Sequence, residues 1–419
     1  MTGRPEYFGS FLDKIVEGLL VLLPPAALLG PWAGSGRVFG YRILVVLLVG
    51  CAVTGWIYPI WVRRFSRAAC AIVVVAVAWA VTGVVGAMRL GPRRDLSSLM
   101  GAGLALAGAW SVARLISDRH IRRERALRDV AIGWAVAVWV GAPLAVWEIL
   151  TARHLGTYAD GAWRNHPGLY RQPATWLTNP NLYAVFLAVG SVWVGVVGVR
   201  SATRWVRIAV IATAVTGLGL LLATDSRIVY AALLLAVMVR LWAVRRWRWV
   251  LPGVVMVVVV VIVVTHLHQA GLVWHRFIGV LIHHNDEGPS SFAVRTTLLA
   301  WGLALVMEYP LLGAGPGGYR ANILAAPKRW FPHGKSDPHN GILEIASQYG
   351  LVVTALVAVC WCLAIGRCWR SRRWWGAALI TAMPVLSLAN STYLVQSVNQ
   401  LGWLVCVLAA SSSRQETPQ

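Results

Sequence analysis

The feature that most constrains this chain is a recurrence. Apolar runs, each near the roughly 20 residues that a membrane-crossing helix needs, return along its whole length. They fall at about 14–30, 40–58, 68–88, 96–116, 129–150, 175–199, 206–224, 227–243, 249–267, 346–366, 374–390 and 393–410. The expected fold is therefore an all-α polytopic membrane protein of about 12 transmembrane helices, because only helices or closed barrels satisfy a backbone in lipid. Composition agrees: 58% of residues are hydrophobic and 13% charged, and a soluble fold would lack the polar surface to cover itself. The first run contains Pro24-Pro25 and no small-residue cleavage site, so it reads as a retained helix. The fourth run is the weakest, and the Trp-rich stretch from Arg245 to Trp249 blurs the eighth and ninth.

The net charge of +22 raises a nucleic-acid reading, which the distribution of charge excludes. The basic residues sit in short clusters between apolar runs: Arg63 to Arg67, Arg114 to Arg128, Arg200 to Arg207, Arg240 to Arg248 and Arg367 to Arg373. These are every second connection, which is the positive-inside pattern and puts both termini in the cytoplasm. Arg89, Arg93 and Arg94 dissent, since they fall on the outer side. Three outer segments remain: 151–175, the tight reversal Thr224-Asp225-Ser226-Arg227, and a long stretch between the ninth and tenth helices. The chain thus divides into helices one to nine (1–267), a large outer loop (268–345), and the last three helices with a tail (346–419). A loop of that length is usually functional. Within it, Phe292 to Met307 has the spacing of an amphipathic helix. The six cysteines lie in or beside apolar runs and read as small buried apolar residues.

The outer face is short of acids. Asp160, Asp225, Asp286, Glu287, Glu308, Asp337 and Glu344 are scattered, and no Asp-x-Asp occurs, so no metal site is expected. The histidines at 266, 268, 275, 283 and 284 read as interfacial loop residues rather than zinc ligands. Arginines are the other way to hold a phosphate, because the guanidinium fork is permanently charged and matches two oxygens. Arg227, Arg295 and Arg320, with Arg171 in support, give the outer surface an anion site; alone, each also reads as a snorkelling or solvated arginine. Gly313 and Gly315 permit a close backbone approach to a ligand, or simply a flexible turn. His339, between Pro338 and Asn340, is a candidate base, since a neutral imidazole accepts a proton near pH 7.

Taken together, the local patterns resemble the O-antigen ligase and polymerase superfamily of bacterial envelope glycosyltransferases. Asn179-Pro180-Asn181-Leu182-Tyr183-Ala184 opens the sixth helix, and Asp225-Ser226-Arg227 lies at the reversal before the eighth. Arg295 is followed by Pro310-Leu311-Leu312-Gly313-Ala314-Gly315, and Pro338-His339-Asn340-Gly341-Ile342-Leu343-Glu344 is followed by Tyr349-Gly350. One position departs: ligases tend to carry a glycine three residues after the one at Gly350, where this chain has Val353.

The resemblance implies a GT-C-like enzyme of the bacterial inner membrane with its active site on the periplasmic face. Such a ligase takes a glycan from undecaprenyl diphosphate and passes it to a sugar of the lipid A–core oligosaccharide. It implies His339 as base and Arg227 and Arg295 on the diphosphate; Arg320 and Arg171 are added on position. Asn179, Asn181, Ser226, Gly313, Gly315 and Asn340 would support the site. No cofactor, metal or ATP is expected, because the donor already carries its leaving group. The alternatives are an O-antigen polymerase or a protein O-oligosaccharyltransferase, and, from another class, a polytopic transporter. Transporters built from two six-helix halves place their longest connector in the middle and on the inner side, unlike this chain.

Overall fold

The computed structural model describes residues 4–35, 38–57, 67–117, 123–155, 171–177, 179–198, 203–244, 291–326, 336–389 and 393–411. Long apolar helices dominate: α1 (Arg4–Leu29), α2 (Gly40–Ile57), α3 (Arg67–Leu90), α4 (Ser97–Ser117), α5 (Arg123–Thr151), α6 (Pro180–Gly198), α7 (Arg204–Ala223) and α8 (Arg227–Ala243). Two helices follow before the last apolar ones, α9 (Ser291–Glu308) and α10 (Gly318–Ala325). The chain then continues as α11 (Gly341–Arg370), α12 (Trp374–Leu386) and α13 (Ser397–Ala410). A two-residue antiparallel ladder, Gly34–Ser35 with Val38–Phe39, joins α1 to α2 and was not expected from sequence.

The protein is an all-α, multi-spanning membrane protein. Seven helices among the described residues are long and apolar enough to cross a bilayer: α1, α3, α4, α5, α6, α7 and α11. This falls short of the expected count of about 12, for two reasons. The apolar helices α8, α12 and α13 have only 17, 13 and 14 residues, and the apolar part of α2 is also short. The ninth expected span, 249–267, lies outside the described residues.

Small residues set the helix packing. Gly133 of α5 leaves its Cβ position to the Val21 carbonyl of α1. Gly190 of α6 makes room for the Trp134 indole, which donates to the Phe186 carbonyl at 3.1 Å. Without a hydrophobic drive between helices in lipid, such close approach is what association rests on. The same logic explains α4, the weakest run in sequence: its Gly and Ala residues lower its apolarity but bury most of it between neighbours. The large core joins α1, α2, α4 to α8, α12 and α13; a second joins α3, α4, α11 and α13. Exposed Val, Leu and Trp side chains line α3, α7 and α11, a surface stable only against lipid. The six cysteines are all free, but of them Cys368 and Cys406 alone are buried; Cys51 and Cys360 are half-buried, and Cys70 and Cys362 are exposed, each on such an apolar face.

Candidate active site

Helix α6 begins where Asn179 caps it. The Asn179 Oδ1 accepts the backbone N–H of Asn181 at 2.9 Å, with Pro180 in the first turn, where its missing N–H costs nothing. Asn181 in turn accepts a hydrogen bond from the Ser226 hydroxyl at 2.8 Å. Two patterns far apart in sequence, Asn179-Pro180-Asn181 and Asp225-Ser226-Arg227, are thus tied together by one bond. The reversal that carries the second is braced locally: Asp225 takes a left-handed conformation (φ 50°), and the Tyr230 hydroxyl donates to the Leu222 carbonyl at 2.9 Å. Arg227 opens α8 and is exposed.

His339 sits half-buried at the turn into α11, also with φ 50°. A left-handed non-glycine residue is uncommon, and such strain is concentrated at functional sites. Asn340 is the N-cap of α11: its Oδ1 accepts the N–H groups of Ile342 and Leu343 at 3.0 and 3.1 Å. The Gly341 N–H donates to the Ser387 carbonyl at the end of α12, 3.1 Å away. Glu344, fully buried, accepts the Tyr393 N–H at 2.6 Å and fixes the turn before α13.

Helix α12 connects the two places. It packs along α8, and Arg240 near the end of α8 lies over the Trp375 ring at the start of α12, 5.4 Å from its centroid. The two helices are therefore antiparallel. Arg240 back to Arg227 and Trp375 on to Ser387 are similar lengths, each about 20 Å at 1.5 Å per residue. Arg227 thus stands level with Ser387, the residue that holds Gly341 beside His339.

The glycine turn packs on backbone. At Gly350 (φ 80°, ψ 173°) helix α11 breaks, which removes the partners of the Leu351 N–H and of the Ser347 and Gln348 carbonyls. The segment 310–315 replaces all three. The Pro310 carbonyl accepts from Leu351 at 2.7 Å, and the Ala314 and Gly315 N–H groups donate to Ser347 and Gln348 at 2.7 and 2.9 Å. Gly313 is needed because a Cβ there would lie 2.3 Å from the backbone of Tyr349; at Gly315 it would strike Gly86 of α3. Both glycines approach backbone, so their support of the site is structural.

Arg89, the dissenting charge, belongs here. Its guanidinium donates to the Gly313 carbonyl and lies over the Tyr309 ring, 4.3 Å from the centroid. Gln348 closes the arrangement, accepting from the Gly317 N–H at 2.7 Å and from Ser98 of α4 at 3.2 Å. Sequence reasoning missed Arg89 and Gln348 as site supports. The available signal was that Arg89 broke the charge pattern and so needed a local reason.

Helices α9 and α10 carry two more predicted arginines. Arg295 of α9 is half-buried, and burial lowers its pKa from the ordinary value without discharging a guanidinium. Arg320 is exposed on α10, beside Tyr319. Tyr319 is buried and donates to the Leu298 carbonyl at 2.6 Å; burial first, and then the Asp337 charge, push its phenol above the usual value. Arg171 is exposed, just before a short turn (Thr175–Leu177) that packs on α1, α5 and α6. That turn is held by Glu148, a fully buried acid of α5 that sequence reading hid inside a span; it accepts the Ala174 and Thr175 N–H groups, each at 2.8 Å. Among the described residues no three His, Cys, Asp or Glu side chains gather in a metal-binding group, and the histidines from 266 to 284 lie outside those residues.

The fold and site define a polytopic α-helical membrane protein with a built polar end, where one hydrogen bond ties the starts of α6 and α8 and another ties the start of α11 to the end of α12. A family model described as O-antigen ligase matches residues 212–358, so a domain of that family is present over this part of the chain. The match spans Asp225-Ser226-Arg227, Arg295, the 310–315 segment and His339. A search of curated proteins finds no match to the chain.

Proposed function

We propose that this protein is an inverting glycosyltransferase of the ligase kind. It moves a glycan from undecaprenyl diphosphate to a sugar of lipid A–core, at the periplasmic face of a bacterial inner membrane. In this reading about 12 helices span the bilayer, both termini are cytoplasmic, and α9 and α10 belong to a periplasmic loop. His339 takes the proton of the acceptor hydroxyl. The freed oxygen attacks the anomeric carbon from the side opposite the diphosphate, the bond to the diphosphate breaks, and undecaprenyl diphosphate leaves with that electron pair. Arg227, Arg295, Arg320 and Arg171 meet the charge that grows on the departing diphosphate; preorganised cations of this kind are usually the largest single contribution to such a step. The donor brings its own leaving group, so no nucleotide is consumed.

The observation that carries the reading is the register of α8 on α12 together with the Gly341–Ser387 hydrogen bond. It sets the Arg227 corner level with the His339 turn, inside the segment that matches the family. The test is transfer by the purified full chain from undecaprenyl-diphosphate-linked glycan to rough lipopolysaccharide, with EDTA and without ATP. Glycan-bearing lipopolysaccharide on a gel is the expected result. Growth of the lipid-linked glycan alone would replace ligation with polymerisation, and loss of all transfer on adding EDTA would overturn the metal-free chemistry.

A further inference from the structure

Between α9, which carries Arg295, and α10, which carries Arg320, lies a groove that nothing above employs. It is an open cavity of about 280 Å³ between α9 and α10, close to the lower end of ligand pockets, about 300 Å³. Two stripes build it. Trp301 and Glu308 stand on one face of α9, seven residues apart; Asn322, Ala325 and Ala326 face them from α10. The alanines leave the floor open opposite the indole. Trp301 is held from behind by the small core of Leu298, Leu305, Tyr319, Ile323 and Leu343. Its neighbour Gly302 packs on Leu343, one helical turn after the His339 corner.

The chemistry of this lining is selective. Glu308 is exposed at the rim and supplies only acceptors when ionised. Asn322 uses one of its two amide N–H groups on the Gly318 carbonyl at 2.8 Å and keeps its Oδ1 as an acceptor. A carboxylate and an amide suit a ligand rich in hydroxyls, and the carboxylate repels phosphate. An aromatic face beside them suits the C–H face of a sugar ring, through the ring's negative quadrupole. Building on the transferase reading, we infer that this groove is a subsite for a neutral pyranose of the glycan substrate. The C–H face of the pyranose stacks on Trp301 and its hydroxyls donate to Glu308 and Asn322. The arginines then hold the diphosphate while the groove sorts the sugar.

Binding is measured apart from turnover, by saturation-transfer NMR on the full chain in detergent with free glucose, galactose, rhamnose and N-acetylglucosamine as probes. At least one sugar receives saturation at its ring protons. The signal falls about fivefold in Trp301→Ala, the scale of a lost aromatic contact, and returns in Trp301→Phe. Glu308→Gln, at an exposed position that keeps the helix, weakens it too and decides the matter if Trp301→Ala does not fold. Equal signals in wild type, Trp301→Ala and Glu308→Gln, or none with any of the sugars, overturn the subsite. The transfer assay separates the two ideas. Sugar binding that depends on Trp301, without transfer to any acceptor, leaves the groove standing and removes the transferase. Transfer with the same KM in wild type and Trp301→Ala removes the groove and leaves the transferase.

Discussion

Gly350→Ala is the sharpest perturbation the structure offers. The residue has φ 80° and ψ 173°, a region open essentially to glycine alone, where an L side chain costs on the order of 1–3 kcal/mol. A Cβ there would also lie 2.1 Å from the Leu311 carbonyl oxygen, which is backbone and cannot swing aside. Leu311 belongs to the segment that replaces the three hydrogen bonds lost at the kink. Pushing it away unpairs at least one of them, at about 1–3 kcal/mol for a buried group. Together these give roughly 3 kcal/mol or more, equivalent to a fall of about 5 °C in the melting temperature of a large chain. Gly366→Ala, on the same helix with nothing near its Cβ position, is the internal control. It is expected to be neutral or to stabilise by up to about 1 kcal/mol. The assay is thermal unfolding of the purified proteins in one detergent, alongside transfer activity. Gly350→Ala melting within about 1 °C of wild type would refute the account of the kink.

Asn340→Ala removes the cap of α11 and is expected to cost about 1 kcal/mol by the same melting assay; Asn340→Asp, which keeps the acceptor, retains most of it. Asn181→Ala leaves the buried Ser226 hydroxyl without its acceptor, at about 1–3 kcal/mol, and the double variant Asn181→Ala/Ser226→Ala recovers part of the loss. Arg89→Ala lowers transfer by freeing the Gly313 turn. Arg89→Lys restores it only in part, because a lysine lacks the planar fork that both bonds Gly313 and covers Tyr309.

Much of the helical frame was legible because apolarity over about 20 residues is a signal that tertiary context rarely overrides in lipid. The expected run at 227–243 coincides with α8, and the loop helix expected at 292–307 is α9 with one residue added at each end. Helix α10 was missed, since its eight residues are too few to show a period, and its start is set by a left-handed Gly317 rather than by an amphipathic pattern. The break at Gly350 was missed for a related reason: a single glycine in an apolar run reads as a helical residue until its partner segment is known. The Pro310-to-Gly315 and Tyr349-Gly350 patterns were noted separately, and only their hydrogen bonds show that they are one structure. Arg89 looked like an exception to topology because its charge was counted and its carbonyl partner was not. Glu148 and Glu344 are buried acids that accept backbone N–H groups from distant turns, pairings that sequence spacing does not encode.

The measurement that bears most directly on the central claim is the turnover number of His339→Ala in the metal-free transfer assay, at saturating donor and acceptor. If His339 takes the acceptor proton, kcat falls by about 10²–10⁴. The melting temperature meanwhile stays close to that of wild type, since Asn340 rather than His339 caps the helix. A kcat within a few-fold of wild type would contradict the account and send the search for the base elsewhere.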